Sequence, residues 1–482
     1  MTRLAVLFSV LAVPAVAAAD TRPISLDEAV AIARDGNDTR AAQAVAVERA
    51  RAQVGAAAGV DDWVIDAHVE GLTRSTEPTM GPFFQETDLD TIVARVGVWK
   101  PLAWGGRLGV QVSDGVSRTE ALLAAGGPPT DLAYTVHNPR AELVWQQPLL
   151  RGRGRAVHDA GRRSARAGAD AEAAMLTLAD TRLVLDVSRA YWELAYATRE
   201  LAIRESALAL AGEQLAITRA RVGAGTGAEL EVLAVEQAIA AREAALVAAE
   251  QALGERALEL RVLMALEDGD PRPLAAADAL DAPTPPAPAA TDALARTLGF
   301  SPELKAIDFR SRAADARTRA ADGSTGPQLD LLVRGGPTGN AAVAGDAWSQ
   351  LARFDGYQAG ASLSLVLPVG DRAARGEREM ARLEEKQLAH LREASRGRLT
   401  AEVQRAVDAV VLSDKRIAAA RRAAELAEKN VKLEIDRWKA GAGTNFDVLT
   451  RQDQQAAADA ALARAHADRH IAVAALAALT GP

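Results

Sequence analysis

Residues 221–233 read RVGAGTGAELEVL, and residues 437–449 read RWKAGAGTNFDVL. Aligned without a gap, the two segments share arginine, alanine, two glycines, valine and leucine, and both have an acidic residue directly before Val-Leu. Each segment lies between two long alanine-rich stretches with a helical pattern. Because glycine ends helices and lets the chain reverse, each segment predicts the turn of a long helical hairpin. Thr226 and Thr444 are the predicted N-caps of the returning helices.

Other marks of duplication precede each hairpin. A strand-like run ends at Pro148 in the first half and at Pro368 in the second, and a long helical pattern follows each proline. Helix starts at Ser25 and Thr291 open the two halves. We therefore predict two tandem structural repeats joined by a proline-rich linker. The predicted divisions are a signal peptide, a first repeat, the linker and a second repeat, at residues 1–19, 20–280, 281–290 and 291–482.

The first repeat is about 44 residues longer than the second between its opening helix and Pro148. The excess fits the stretch from about Asp90 to Tyr134, which alternates like a strand on both sides of Trp104-Gly105-Gly106. We interpret it as an extra β-hairpin. The predicted strands are residues 63–72, 91–99, 108–116, 140–147, 328–333 and 357–367.

The stretch from about Ala156 to Val222 predicts one helix of roughly 100 Å, at 1.5 Å per residue. Its apolar residues form two heptad rows about 200° apart around the axis, which indicates a neighbour on each side. The rows are Leu194, Leu201, Leu208, Leu215 and Val222, and Tyr196, Ile203, Leu210 and Ile217. A further row from Leu399 to Val431, with alternating spacings of four and three, is typical of a coiled-coil seam. A cylinder of helices and a solid bundle both satisfy these patterns.

The N-terminus has the pattern of a secretory signal peptide. Arg3 precedes an apolar stretch, residues 4–16, and a small-residue cleavage site, so the mature chain is expected to begin near Asp20.

The absence of cysteine excludes a catalytic thiol and a thiolate metal site. The net charge of −8 argues against a nucleic-acid partner. No later apolar run is long enough for a transmembrane helix, so a membrane position would require a closed β-barrel.

The strand-like segments are amphipathic. In residues 65–70, isoleucine, alanine and valine alternate with aspartate, histidine and glutamate. This pattern fits a membrane barrel wall and a soluble β-sandwich equally well. Aromatic residues make up only 4% of the chain, which is few for a barrel with aromatic girdles. Several of them do cluster near the strands of the first repeat, namely Trp99, Trp104, Trp145, Phe83 and Phe84.

The order, spacing and duplication of these features resemble the TolC-like outer-membrane efflux family, the outer membrane factors. The two hairpin turns, the junctions at Pro148 and Pro368 and the segment WQQPLLRG at 145–152 carry the resemblance, which covers nearly the whole mature chain. The family's fold is mainly α with β. It implies a homotrimer whose strands form one TolC-like outer-membrane β-barrel and whose long helices form a coiled-coil tunnel in the periplasm. It also implies a passive conduit for efflux or type I secretion, not an enzyme, and no cofactor or metal.

The partners implied by the resemblance are a periplasmic adaptor (membrane fusion) protein, an inner-membrane transporter and outer-membrane lipid. The hairpin turns would form the tips that dock the adaptor. By position, the tip residues are Val222, Gly223, Gly225, Gly227, Lys439, Gly441 and Gly443.

The residues implied at the periplasmic aperture are Glu231, Asp447 and Trp438. Asp447 matches a family aspartate that rings the closed aperture, and Glu231 is its counterpart in the first repeat. The chain departs from the family where Thr450 replaces a second aspartate and Gly443 replaces an arginine found in some members. Asp447 is also explained as a first-turn acidic residue favoured by the helix dipole.

Other motifs are given a plainer interpretation. The glycine-rich residues 223–227 follow a helix rather than a strand, which does not favour phosphate binding. His466 and His470 lie four apart on a helix and are interpreted as a solvated face, since no third metal ligand is evident. Arginines 151, 153 and 155 are interpreted as an exposed helix start, with a lipid-headgroup contact as the alternative.

Two other classes of function remain as alternatives. A periplasmic coiled-coil adaptor or scaffold protein would have one helical hairpin between small β domains, so two tandem hairpins favour the channel. A soluble periplasmic binding protein or enzyme would need a cluster of convergent polar residues, and the sequence shows none.

Overall fold

The computed structural model describes residues 22–77, 84–123, 130–266 and 273–481. The predicted signal peptide and Phe83 lie outside these residues. The chain divides into two compact units. The helical unit takes its described residues from 1–45, 173–305 and 393–482, and the sheet unit takes them from 46–172 and 306–392. Each unit draws on both sequence repeats, so the repeats and the compact units divide the chain differently.

Long helices dominate the described residues. Their bounds are α1 Leu26–Gly36, α2 Asp38–Ala58, α3 Arg155–His158, α4 Ala160–Gly223, α5 Glu229–Leu263, α6 Ala290–Phe300, α7 Pro302–Gly323, α8 Ala344–Arg353, α9 Arg372–Lys439 and α10 Asn445–Thr480. The longest, α4 and α9, contain 64 and 68 residues. The predicted long helix from Ala156 is confirmed with a small change, because the single turn α3 precedes α4. The short helix α8 was not predicted.

The seam predicted for α9 is confirmed, since every member from Leu399 to Val431 is buried or half-buried. In α4 the first predicted row is also buried or half-buried. The second row is buried or half-buried only as far as Ile203, since Leu210 and Ile217 are 40% and 45% exposed in the single chain. Smaller side chains form the buried seam there, which lets the neighbouring helix approach closely. They are Ala207, Ala211, Gln214 and Thr218.

Six strands form one antiparallel sheet. Strand bounds are β1 Arg22–Ile24, β2 Val64–Ser75, β3 Phe84–Pro101, β4 Arg107–Leu123, β5 Thr130–Pro148, β6 Leu274–Ala276, β7 Gln328–Thr338 and β8 Gly356–Val366. The order in the sheet is β2-β3-β4-β5-β7-β8. The predicted extra hairpin is β3–β4, which joins the sheet between β2 and β5. β1 and β6 form a separate parallel pair that was not predicted.

The large sheet has one apolar and one polar face. The register aligns Ile65, Val98, Val110, Leu143, Gly335 and Ala359 in one row across all six strands. Direct partners in antiparallel strands share a face, so this row defines the apolar face. Its large side chains are exposed in the single chain, with Ile65 at 73%, Ile92 at 59% and Leu363 at 62%. The opposite face carries Asp66, His68, Glu70, Arg95, Gln111, Glu142, Arg334 and Ser362.

The strand-to-helix junctions lie at one end of this sheet. Pro148 is the last residue of β5 and pairs with Asp330. Pro368 follows β8, and beyond it Gly370 and Asp371 both have positive φ, at 88° and 41°. The connection that contains α8 lies at the opposite end of the sheet. Among the described helices, none is long and apolar enough to cross a membrane.

Candidate functional site

The two hairpin turns have the same backbone geometry. In the first, the Gly225 N–H donates to the Val222 carbonyl at 2.9 Å and the next N–H donates to the Arg221 carbonyl at 3.0 Å. In the second turn, the N–H of residue 441 donates to the carbonyl of residue 438 at 3.0 Å, and the N–H of residue 442 donates to the carbonyl of residue 437 at 2.9 Å. Gly225 and Gly441 have φ of 75° and 76°, in the left-handed region that favours glycine. The duplication seen in the sequence is therefore a duplication of turn structure.

The returning helices differ in how their N-termini are capped. Thr444 caps α10: its Oγ1 accepts from the Asp447 N–H at 3.2 Å, and the Asp447 carboxylate accepts from the Thr444 N–H at 3.2 Å. The cap of α5 is Ala228, which has no side-chain acceptor. The prediction of Thr226 as a cap is wrong, because its Oγ1 donates back to the Arg221 carbonyl at 3.0 Å. Only the second hairpin has a capping box.

A buried polar cluster joins the two hairpins near the turns. Asn445, only 2% exposed, donates from Nδ2 to Thr218 Oγ1 at 2.8 Å and lies 3.4 Å from Glu231 Oε2. Its Oδ1 accepts from the amide of Gln214. Gln214 and Thr218 belong to α4, whereas Asn445 is the first residue of α10. Sequence reasoning missed this cluster, although position 445 is a point where the two duplicated segments differ.

Aromatic and small residues complete the packing beside the cluster. Trp438, 3% exposed, lies under the Arg221 guanidinium, whose carbon is 4.9 Å from the ring centroid. Glu434 is also buried and pairs with Arg437 at 3.2 Å. A Cβ at Gly443 would lie 2.8 Å from Glu434 Oε1, which explains glycine at that position. In the first turn, a Cβ at Gly227 would be 3.1 Å from a methyl of Val222.

Further from the turns, Arg242 of α5 ties three helices together. Its guanidinium donates to Asp453 at 2.8 Å, to Gln452 Oε1 at 3.2 Å and to the Ala207 carbonyl at 2.8 Å. Arg242 is 7% exposed, so these bonds replace the water that its charge would otherwise bind. The two hairpins are thus held together by polar side chains as well as by apolar contacts.

A family model described as outer membrane efflux protein matches residues 147–266 and 293–482, which together make up more than half of the chain. The chain belongs to the outer membrane efflux protein family. The family places the protein in the outer membrane, and nothing supports the adaptor or scaffold alternative. None of the curated proteins compared with the chain matches it.

Solved structures show that this efflux protein has the TolC-like fold. It is similar to the outer-membrane channel OprN, at 18% identity and a TM-score of 0.65, over 95% of this chain and 89% of the other. It is also similar to VceC of Vibrio cholerae, at 15% identity and a TM-score of 0.66, over 95% of this chain and 96% of the other. The open state of MtrE of Neisseria gonorrhoeae is similar at 17% identity and a TM-score of 0.65, over 95% of this chain and 89% of the other.

The hairpin tips of this efflux protein expose small residues and two large apolar ones. Gly223, Gly225, Lys439 and Gly441 are exposed at the turns. Leu230 and Phe446 occupy corresponding positions of the duplicated segments, and they are 74% and 70% exposed. An exposed apolar residue in the first turn of both returning helices was visible in the aligned sequences but was not selected.

The carboxylates implied at the aperture have partners within the chain. Asp447 is exposed, and hydrogen bonds from Thr444 hold the pKa of its carboxyl below the usual value. Glu231 is half-buried beside Asn445. The capping geometry bears out the local explanation of Asp447 as a first-turn acidic residue, and its exposure leaves the carboxylate open to one side.

The interpretation of the two histidines as a solvated face is wrong for His470. Its ring stacks on Trp192 with centroids 3.6 Å apart, and Nε2 lies 3.0 Å from the Leu280 carbonyl, to which it donates. Burial lowers the pKa of His470, so the ring is neutral at pH 7. His466 is half-buried, and burial lowers its pKa as well. In the described part of the chain, no group of three or more His, Asp or Glu side chains is arranged to hold a metal ion.

Proposed function

We propose that three copies of this outer-membrane efflux protein form one passive channel for efflux or type I secretion. The observation that carries the proposal is the large sheet, which has an apolar face and two open edges. Within the described residues, β2 pairs only with β3 and β8 only with β7. Unpaired edge strands of 12 and 11 residues leave many backbone groups without partners, and pairing between copies satisfies them.

The apolar face has the height that a membrane requires. On β8 it runs from Tyr357 to Leu365, nine residues that span roughly 27 Å along the strand. Membrane-spanning strands have about 9–11 residues. The polar face would then line the conduit, with acidic, basic and hydroxyl side chains in contact with water.

The long helices offer a surface for a neighbouring copy. Leu210 and Ile217 of α4 are exposed in the single chain, and on α9 Leu412, Leu426 and Leu433 repeat at multiples of seven and are 49%, 53% and 62% exposed. Exposed apolar residues at heptad spacing favour association with another helix. We infer that these rows meet between copies in the trimer.

The hairpin tips would dock a periplasmic adaptor that joins the channel to an inner-membrane transporter. Small residues at the turns let another backbone approach closely, and Leu230 and Phe446 provide apolar anchors beside them. Asp447 is ionised at neutral pH, and hydrogen bonds from Thr444 lower the pKa of its carboxyl below the ordinary value. Three copies would bring three such carboxylates around the aperture, where they would attract cations.

The first test is the native mass of the protein extracted from outer membranes with detergent. Three chains support the proposal, and a monomer released without detergent contradicts it. Conductance across a planar bilayer then tests the channel itself.

The second test addresses docking. Leu230→Ser with Phe446→Ser should abolish export while trimers and bilayer conductance remain. The matched control exchanges the two residues, Leu230→Phe with Phe446→Leu, and should keep export because both tips stay apolar. Normal export by the serine variant would refute docking through these residues.

A further inference from the structure

The connection between β7 and β8 folds back onto the sheet. After β7, Ala341 pairs with His137 of β5 through hydrogen bonds of 2.8 Å and 3.2 Å. Helix α8 follows, and Ala347 in it is fully buried. The N–H of Asn340 donates to Gln350 Oε1 of α8 at 2.9 Å, which fixes the start of the connection to the helix. The helix therefore has a defined place against the sheet.

The position of one side chain shows which face α8 covers. The indole N–H of Trp348 donates to Asp114 Oδ2 at 3.1 Å. Asp114 pairs with Ala94 and Pro139, and it lies two residues from Val112 on the same strand. Because side chains two apart on a strand share a face, Asp114 belongs to the apolar face. Helix α8 therefore lies on the apolar face and not on the polar one.

Helix α8 covers polar groups that lie on this otherwise apolar face. Asp114 and His137 are both on it, since His137 pairs with Val116. Asp114 Oδ1 and His137 Nδ1 are buried and have no hydrogen-bond partner among the described residues. Leaving these side chains open to lipid would be costly, because hydrocarbon offers no hydrogen bonds. The helix shields them.

Large apolar and aromatic residues of the connection, and of β8 directly after it, are exposed. Val343 is 61% exposed, Trp348 40%, Phe354 69% and Tyr357 82%. Phe354 ends the helix with φ of 60°, an uncommon conformation for a residue other than glycine. Exposed aromatic residues beside a helix are typical of segments that lie at a membrane–water boundary.

Aromatic residues also mark the other end of the apolar face. Trp145 pairs with Leu108 near the start of β4, and Leu108 lies two residues from Val110 on the apolar face. Trp104 lies in the turn between β3 and β4 and is 51% exposed. The apolar face thus lies between two groups of aromatic residues, as the two girdles of a membrane protein require.

We propose that α8 and Phe354 form a lipid anchor that lies in the outer interface of the membrane, with Trp348 and Phe354 among headgroups and the upper acyl chains. The proposal rests on the membrane position of the sheet and adds a lipid contact outside the strands. The continuity of the anchor with the exposed apolar face identifies lipid as its occupant.

The absence of native cysteine allows a direct test. Single cysteines at 354, 361, 364 and 346 would carry a fluorophore, in trimers reconstituted into phosphatidylethanolamine and phosphatidylglycerol vesicles. Lipids with a quenching doxyl group near the headgroup or near the chain end would then be added. Ala361→Cys reports the middle of the apolar face, and Ser364→Cys reports the polar face. Asp346→Cys is the matched control on α8, about 200° around the helix from Trp348.

We expect Phe354→Cys to lose fluorescence with the shallow quencher and Ala361→Cys with the deep one, while positions 364 and 346 stay bright. Quenching at 361 without quenching at 354 would overturn the anchor and leave the channel proposal intact. No quenching at 361 would overturn the membrane position of the sheet and the anchor with it. Equal quenching at 354 and 346 would show a helix buried in lipid on all sides and would overturn the interfacial anchor.

Discussion

The guanidinium of Arg242 lies 2.8 Å from the carboxylate of Asp453, yet the two side chains differ greatly in exposure. The arginine side chain is 8% exposed and the aspartate side chain is 62% exposed. Water therefore solvates one partner and not the other. The arginine depends on its protein partners, whereas the aspartate can exchange its partner for solvent.

This asymmetry predicts different results for the two single substitutions. Arg242→Met should lower the free energy of unfolding by about 2–3 kcal/mol, the usual contribution of hydrogen bonds to a charged group. Asp453→Asn should lower it by less than about 1 kcal/mol, because an exposed ion pair contributes little. Thermal unfolding of the detergent-solubilised protein gives both values. Equal losses would show that the ion pair, and not the buried donors, holds the hairpins together.

The buried cluster at Asn445 predicts coupling between two side chains. Asn445→Leu should lower the free energy of unfolding by about 1–3 kcal/mol, because it leaves the buried amide of Gln214 without its partner. Adding Gln214→Leu should recover part of the loss, since the orphaned group is then removed. Phe446→Ala, at the exposed neighbouring position, is the control and should have little effect. Strict additivity of the two leucine substitutions would contradict the contact.

The unequal caps predict a stabilising substitution. Ala228 has the extended backbone of an N-cap, with φ of −96° and ψ of 144°, but no acceptor. Ala228→Ser should stabilise the start of α5 by about 1 kcal/mol. Hydrogen exchange of the amides at 230 and 231 should slow, and those of α10 should not change. An unchanged exchange rate would mean that the turn does not present the serine to the helix.

The existing cap on α10 predicts a dependence on pH. The pKa of Asp447 is lowered from 3.8 by hydrogen bonds from Thr444, so the folded state binds this proton less readily than the unfolded state. The ionised Asp447 carboxylate therefore stabilises the folded state at any pH above its ordinary pKa. This stabilisation is lost as pH falls through the lowered pKa of the folded state. Exchange of the first amides of α10 should accelerate only in that acidic range. Asp447→Asn should remove the acid-dependent step, and persistence of the step would assign it to another group.

His470 predicts an effect at milder pH. Its pKa is lowered by burial, and the groups near it are His466, Arg469 and Asp278. Because the folded ring resists protonation, its contribution is full above about 6.5 and decreases as pH falls below that value. Thermal stability should therefore fall between pH 6.5 and pH 5. His470→Gln keeps a donor for the Leu280 carbonyl and should weaken this pH dependence. An identical profile in the variant would exclude His470 as its source.

The duplicated turns were predictable because their chemistry is local. A turn position with positive φ favours glycine, so it can be recognised in the sequence. Glycine occurs at this position in both duplicated segments, at Gly225 and Gly441. The seam of α9 was equally visible, since its apolar spacing is regular. The C-terminal end of the α4 seam could not be predicted in this way. Ala211 and Thr218 are buried there, while the larger Leu210 and Ile217 are exposed in the single chain. Leucine and isoleucine mark a contact without saying whether it lies within one chain or between copies.

The parts that sequence reasoning missed depend on distant residues. β1 and β6 have three residues each and are separated by most of the first repeat. Asn445 is buried because α4 supplies partners more than two hundred positions earlier. Helix α8 is short, and its place is set by Asp114 and His137 on other strands. In each case the residue that fixes the structure is too far away along the chain for a periodic sequence pattern to reveal the contact.

In the proposed channel, the hairpin β3–β4 would allow the width of the pore to change independently of the rest of the chain. It leaves and rejoins the sheet between two strands that run in opposite directions, so its removal would let β2 and β5 become neighbours without changing where the chain enters its helices. In an assembly of three copies, a single insertion or deletion of this kind changes the wall by six strands. Selection for bulkier cargo can therefore act on residues 84–123 alone. The two hairpin turns, at residues 221–233 and 437–449, lie outside this segment and would keep their sequence.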